Sequence, residues 1–135
     1  MAFEFPQPVL FKHCDPAGIV FYPRYFEMMN DAVEAFFTHG LGIDFAVLHR
    51  DGGVPTARIE ITFTAPSRHG DHLLIALTPT RLGGASLDLA SEARAGEERR
   101  FHATSTLVLV GADGRPRPWS ADQRARITPF LEETE

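Results

Sequence analysis

The chain has 135 residues, 44% of them apolar and 23% charged, with a net charge of −5 and a single cysteine. That length fits one domain, and the composition is that of a globular protein. The acidic balance argues against a nucleic-acid surface, which needs a basic field. Cys14 alone forms no intrachain disulfide and suits a reducing compartment. The start Met1-Ala2-Phe3-Glu4-Phe5-Pro6 lacks the basic and apolar regions of a signal peptide. No apolar run approaches the eighteen or so residues that cross a bilayer. A cytoplasmic location, with no membrane partner, is the expectation.

In chain order, Val9-Leu10-Phe11 reads as a short first strand. Residues 14–23 form a Pro/Gly loop. Residues 24–38 read as a helix, with Tyr25, Met28, Met29, Ala32, Val33, Phe36 and Phe37 on one broad apolar face. Arg24, Glu27, Asp31, Glu34 and Thr38 make the opposite polar stripe. Pro23 suits its start and Gly40 its end. Asp44 to Arg50 predicts a short helix capped by Asp44. From Val54 the period changes to two. Strands follow at Val54–Thr64, Leu73–Leu82, Ala85–Ala93 and His102–Val110, with Pro79 predicting a bulge or an edge position. Ser120 to Leu131 predicts a last helix interrupted by Pro129. An antiparallel sheet curled around one apolar helix, class α+β, is the economical packing for residues 1–135.

The chemistry concentrates in His13-Cys14-Asp15-Pro16-Ala17-Gly18-Ile19-Val20-Phe21-Tyr22. Asp15 is either a turn former or a functional carboxylate. The turn reading is the more ordinary of the two, but its place just ahead of a helix leaves chemistry open, because unpaired N–H groups at a helix start polarise a carbonyl docked there. Asp15 could then attack that carbonyl or activate water. Adjacent Cys14 and His13 point to opposite faces of an extended chain, so they do not form a nucleophile–base pair. The remaining histidines show no metal spacing. Arginines cluster at 94, 99 and 100, at 115 and 117, and at 124 and 126, leaving room for a small anionic ligand.

Asp15-Pro16-Ala17-Gly18-Ile19-Val20-Phe21-Tyr22-Pro23, followed by an aromatic-rich helix, resembles the signature of hotdog-fold acyl-CoA thioesterases. It is most similar to the 4-hydroxybenzoyl-CoA thioesterase family of the Pseudomonas kind. The resemblance implies a hotdog fold, an antiparallel sheet wrapped around a long helix. It also implies homodimers, and homotetramers built as dimers of dimers, with the site at the dimer interface. By the same resemblance Asp15 is the catalytic carboxylate, nucleophile or general base, and the Tyr22 backbone N–H polarises the thioester carbonyl. Gly18 and Asn30 would meet the substrate. Asn30 stands where the hydroxybenzoyl enzyme has an Asp, a departure at the position that reads the acyl ring. Ser86 would contact the CoA arm, with Arg115 and Arg117 on its phosphates. Arg81 would replace the basic residues that are Gly83-Gly84 here. The reaction this implies is hydrolysis of a small or aromatic acyl-CoA, benzoyl- or hydroxybenzoyl-like, to free acid and CoA. No metal or cofactor is expected beyond the CoA of the substrate. Two other readings stay open: an acyl-carrier-protein thioesterase, and a non-catalytic acyl-CoA-binding hotdog protein.

Overall fold

Residues 2–131 are described by a computed structural model. Five antiparallel strands form one sheet in the order β1-β4-β5-β6-β3: β1 Phe3–Pro8, β3 Thr56–Phe63, β4 His72–Leu82, β5 Ser86–Ala95 and β6 Glu98–Val108. A separate small ribbon pairs β2 (Gly52–Gly53) with β7 (Val110–Gly111). The helices are α1 Tyr22–Ala35, α2 Phe45–Leu48 and α3 Ala121–Ile127. The inner face of the sheet wraps α1, which is the hotdog arrangement. Along β4, β5 and β6 alternate residues are buried: Leu73, Ile75 and Leu77; Leu87, Leu89 and Ala93; Phe101, Ala103 and Leu107. Against them lie Tyr25, Met28, Met29, Ala32, Phe36 and Phe37. The strand period of two and the helix period of 3.6 thus meet in one apolar layer.

Several boundaries differ from the sequence reading, among them the start of the strand read from His102, which begins at Glu98. The first strand is Phe3–Pro8, not Val9-Leu10-Phe11. Pro6 and Pro8 argue against a central strand, but β1 is an edge strand, where proline is tolerated. Val9 instead turns the chain, its N–H donating to the Asp71 carbonyl at 2.8 Å, and Phe11 is 79% exposed. Helix α1 begins at Tyr22, so Pro23 occupies its first turn rather than preceding it. It ends at Ala35 and continues as one wider π turn, Phe36–Gly40, closed by the Leu41 N–H on the Phe36 carbonyl at 2.8 Å. The bulge expected at Pro79 is present, as a register shift between Pro79 and Arg81 against β5. Asp44 caps α2 by accepting from the Val47 N–H at 3.1 Å. Pro129 interrupts the C-terminal segment where α3 gives way to a 3-10 turn, Thr128–Phe130.

Candidate functional site

The Asp15 loop is a closed miniature hairpin. The Asp15 N–H donates to the Ile19 carbonyl at 2.9 Å, and the Gly18 N–H donates to the Asp15 carbonyl at 2.9 Å. The carboxylate Oδ1 accepts from the Ala17 N–H at 2.8 Å, so Asp15 also plays the turn-forming part. Gly18 has φ +83°, in the left-handed region that favours glycine, and a Cβ there would meet nothing within 4 Å. The turn therefore needs glycine for its backbone, and the space above it is open. The base of the hairpin is pinned twice. The Phe21 N–H donates to the His13 carbonyl at 3.0 Å, and the Val20 N–H donates to the Ser67 carbonyl at 2.8 Å.

The loop runs directly into α1. Its N-cap residue is Phe21, no side chain caps it, and no acidic residue stands in its first turn. The Phe21 N–H is already taken by His13, and Pro23 has none. Among the described residues the Tyr22 N–H finds no acceptor, leaving a free donor at the positive end of a 14-residue helix. A cavity of about 520 Å³ opens beside it, lined by Asp15, Pro16, Ala17 and Phe21 with Lys12 and Arg24 at its edge. A half-buried carboxylate and the N-cap residue of an uncapped helix thus line one pocket, with Tyr22 the next residue along the chain, an arrangement able to hold and attack a carbonyl.

Beneath the helix start lies a polar network the sequence did not disclose. Buried Tyr25 donates its hydroxyl proton to Ser67 Oγ at 2.9 Å. Arg100 Nη1 donates to Ser67 Oγ and the Pro66 carbonyl, both at 3.1 Å, and to Asp71 Oδ2 at 2.7 Å. Glu98 sits 2.8 Å from Arg100 Nε but out of line for a hydrogen bond. The Arg100 hydrogen bond, helped by the Arg68 N–H, holds the Asp71 carboxyl below its ordinary value. Arg100 is therefore occupied inside the protein. Tyr25 reads as core from its helical phase, and nothing in the local pattern marks Ser67 as its partner, 42 residues away.

His13 does not face a metal or a nucleophile. It is buried, and its Nδ1 accepts from the Leu10 N–H at 2.9 Å, which defines the tautomer with the proton on Nε2. Burial, with the nearby Lys12 charge, lowers its pKa below the usual histidine value. Cys14 is half-buried and bridges Val20 across the loop. Among the described residues no cluster of three or more His, Cys, Asp or Glu side chains could hold a metal.

The residues expected to grip CoA gather at the opposite end of the sheet. The β4–β5 turn meets the segment after β7: the Trp119 N–H donates to the Gly84 carbonyl at 2.9 Å, and its indole N–H to the Ser86 carbonyl at 3.0 Å. The Arg117 N–H donates to the Leu109 carbonyl at 2.8 Å beside them. Among the described residues the Arg81, Arg115 and Arg117 side chains are exposed and make no ion pair. Arg124 and Arg126 differ: Arg124 donates to the Gly83 carbonyl at 2.9 Å, and Arg126 to Asp122 and the Leu41 carbonyl, each at 3.0 Å. A Cβ at position 83 would meet Ser86 Oγ, the movable end of that side chain, and one at position 84 would meet nothing within 4 Å. The eleven residues of β4, ten rises, separate this end from the Asp15 loop by about 33 Å at the usual strand rise. Arg81, Arg115 and Arg117 therefore lie far from Asp15 of their own protomer.

Asn30 sits exposed on α1 at the rim of a second cavity, of about 330 Å³, between the helix and the inner face of the sheet. Its walls are largely apolar, among them Phe26, Met29, Val33, Phe45 and Leu77.

The thioesterase-like superfamily profile matches residues 9–134, and the chain belongs to that superfamily. A 1,4-dihydroxy-2-naphthoyl-CoA hydrolase from Nostoc punctiforme is 23% identical over 98% of this chain and 88% of its own length. The namesake enzyme from Synechocystis is 29% identical over 80 residues, which span only 58% of either chain. The structure of a gentisyl-coenzyme A thioesterase superposes with a TM-score of 0.85 at 25% identity, covering 93% of this chain and 99% of that one.

Proposed function

We propose that this protein is an acyl-CoA thioesterase that takes aromatic acyl groups, hydrolysing RCO–SCoA and water to RCOOH and CoA thiol. The observation that carries the reading is the Asp15 carboxylate in a cavity also lined by Phe21, the N-cap of an uncapped helix whose next residue is Tyr22. The thioester oxygen docks on the Tyr22 N–H, where the helix dipole stabilises the oxyanion. Asp15 attacks the carbonyl carbon, or takes a proton from the attacking water. The tetrahedral intermediate collapses by breaking the C–S bond, and the thiolate leaves to be protonated. On the nucleophilic route, water then cleaves the mixed anhydride and frees Asp15. Gly18 leaves room for the thioester to approach, and Asn30 borders the acyl group. No metal or further cofactor takes part in this scheme. The aromatic preference is supported by the naphthoyl- and gentisyl-CoA enzymes this chain resembles. A benzoyl- or hydroxybenzoyl-like ester is the first substrate to try.

The working unit in this reading is a homodimer, itself paired into a tetramer. Strand β3 is an edge strand, eight residues long, exposed along nearly its whole length, and carries Ile59, Ile61 and Phe63 on the helix side. A long apolar edge is a template for pairing. Two β3 strands paired antiparallel about a two-fold would bring the Arg81, Ser86, Arg115 and Arg117 end of one protomer beside the Asp15 end of the other. That pairing removes the separation of about 33 Å, the length of β4. Three unpaired guanidiniums there suit the CoA phosphates.

The deciding experiment is a thiol-release assay with benzoyl-, hydroxybenzoyl-, phenylacetyl- and short aliphatic CoA esters on the wild-type protein and on Asp15→Asn. The expected result is turnover on an aromatic ester that falls at least a hundredfold in the variant. Undiminished turnover in Asp15→Asn, or activity confined to long-chain aliphatic esters, would overturn the proposal.

A further inference from the structure

The segment that carries Asp15 leaves the sheet at Val9 and meets the body of the protein again at Val20. Both residues dock on one turn, residues 66–71, between β3 and β4. The Val9 N–H donates to the Asp71 carbonyl at 2.8 Å, and the Gly70 N–H donates back to the Val9 carbonyl at 3.0 Å. The Val20 N–H donates to the Ser67 carbonyl at 2.8 Å. Entry and exit of the Asp15 segment are therefore fixed by the same few residues. The turn closes on itself at its tip, where the Asp71 N–H donates to the Arg68 carbonyl at 3.0 Å and the Arg68 N–H to Asp71 Oδ2 at 2.9 Å. What ties its two ends together is a side chain from another strand. Arg100, on β6, donates from Nη1 to the Pro66 carbonyl and Ser67 Oγ at one end and to Asp71 Oδ2 at the other. Its own carbonyl accepts from the Thr64 and Ala65 N–H groups, which fixes the chain leading into the turn. The Arg100 side chain is 11% exposed, so this ion pair is shielded from water and holds its geometry more firmly than a surface pair.

We infer that Arg100 is a positioning residue for thioester hydrolysis: by clamping the turn at 66–71 it sets where the Asp15 carboxylate stands against the start of α1. The inference rests on the thioesterase reading above and adds a residue that acts at one remove. Arg100 lines neither the Asp15 cavity nor the cavity under α1, so it works through the turn and not on the ester. The start of α1 is held independently by its buried apolar face, whereas the Asp15 segment depends on Val9 and Val20. Releasing the clamp therefore moves the carboxylate relative to the helix. A misplacement of about 1 Å between reacting groups costs on the order of a hundredfold in rate. Ester affinity is set elsewhere, by the acyl cavity and the distant arginines, so the loss falls on kcat and spares KM. The Ser67 hydroxyl alone is dispensable to the clamp, because Arg100 keeps the Pro66 carbonyl and Asp71 without it. Lysine at position 100 keeps the charge but lacks the planar fork, so it restores the clamp only in part.

The test uses Arg100→Met, which keeps an apolar stem without donors, and Arg100→Lys, which keeps the charge. Ile127→Ala serves as a destabilised control. Ile127 is fully buried on α3, whose Arg126 reaches the Leu41 carbonyl beyond the far end of α1. Thiol release from the ester that wild type cleaves best is followed well below each melting temperature. In Arg100→Met, kcat should fall about ten- to a hundredfold with KM within about threefold, and Arg100→Lys should recover part of that loss. Ile127→Ala should keep kcat within about twofold, since its cavity lies away from the clamp. Amide hydrogen exchange supplies a readout that needs no turnover. In Arg100→Met the Val9 and Val20 amides should exchange at least about tenfold faster, while the amides of β5 stay protected. An unchanged kcat in Arg100→Met, a loss that Ile127→Ala shares, or exchange that rises equally along β5 would overturn the inference. If Arg100→Met does not fold, Arg100→Lys decides: a kcat loss of at least about threefold with faster exchange at Val9 and Val20 supports the clamp, and wild-type behaviour refutes it. If wild type cleaves no ester, the thioesterase reading fails by itself. The exchange comparison then still decides the clamp: selective loosening at Val9 and Val20 supports it, and uniform or unchanged exchange refutes it.

Discussion

Removing the hydroxyl of Ser67 should destabilise the helix start in a way that only the second member of its pair can explain. Ser67 is fully buried and accepts from both Tyr25 and Arg100. In Ser67→Ala the Arg100 guanidinium keeps Asp71 and the Pro66 carbonyl, but the Tyr25 hydroxyl, on a side chain 3% exposed, is stranded. A stranded buried hydroxyl costs about 1–3 kcal/mol, so about 2 kcal/mol is expected. Tyr25→Phe removes the donor and leaves Ser67 with Arg100, at about 1 kcal/mol. In the double variant no hydroxyl is orphaned, so its loss should fall below that of Ser67→Ala alone, to about 1 kcal/mol rather than the additive value of about 3. At roughly 4 °C per kcal/mol for this chain length, Ser67→Ala should melt about 8 °C lower. Urea titration followed by fluorescence of buried Trp119, at one protein concentration, measures all four corners of the cycle. Additive losses would refute the reasoning. The Val20 N–H bonds the Ser67 carbonyl, which alanine keeps, so kcat well below the melting temperature should change little.

Tyr22→Pro deletes the proposed oxyanion donor without breaking the helix, since proline is favoured at the first helical position and Phe21 is already extended, with ψ 124°. Turnover should fall about 10²–10³-fold, whereas Tyr22→Ala should retain most of it, because the donor is backbone; equal losses in the two, measured by thiol release, would count against that role. Acid should weaken the fold through His13. Its native pKa is lowered, so the unfolded chain binds the proton more readily. Stability is then full above the ordinary histidine value and is lost as pH falls from there through the lowered native value. The urea midpoint should drop between pH 7 and 5, and His13→Asn, whose side-chain oxygen can still accept from Leu10, should flatten that slope. Ile59→Asp places a charge on the exposed β3 edge and should yield monomers by light scattering, with the far-ultraviolet circular dichroism spectrum unchanged.

What the sequence determined by itself is local. The Asp15 turn depends on Pro16 and on Gly18, whose positive φ is a property of the nearest neighbours. The free N–H at Tyr22 follows from an apolar N-cap and Pro23, all within three residues. The periods of α1 and of β3 to β6 are likewise written in runs of ten or so residues, and they sufficed for an antiparallel sheet curled around one helix; the hotdog fold came from the resemblance carried by residues 15–23. Where neighbours outside the run decide, the sequence was silent or misleading. Val9-Leu10-Phe11 looks like a strand, yet the edge position of β1 makes Phe3–Pro8 the strand despite two prolines. Arg100 looks like a ligand for an anion, yet Asp71 and Ser67 occupy it. Such contacts join residues tens of positions apart, and no spacing along the chain encodes them. Only the folded sheet decides which side chains share a pocket, and how far Asp15 stands from Arg81, Arg115 and Arg117 of its own protomer.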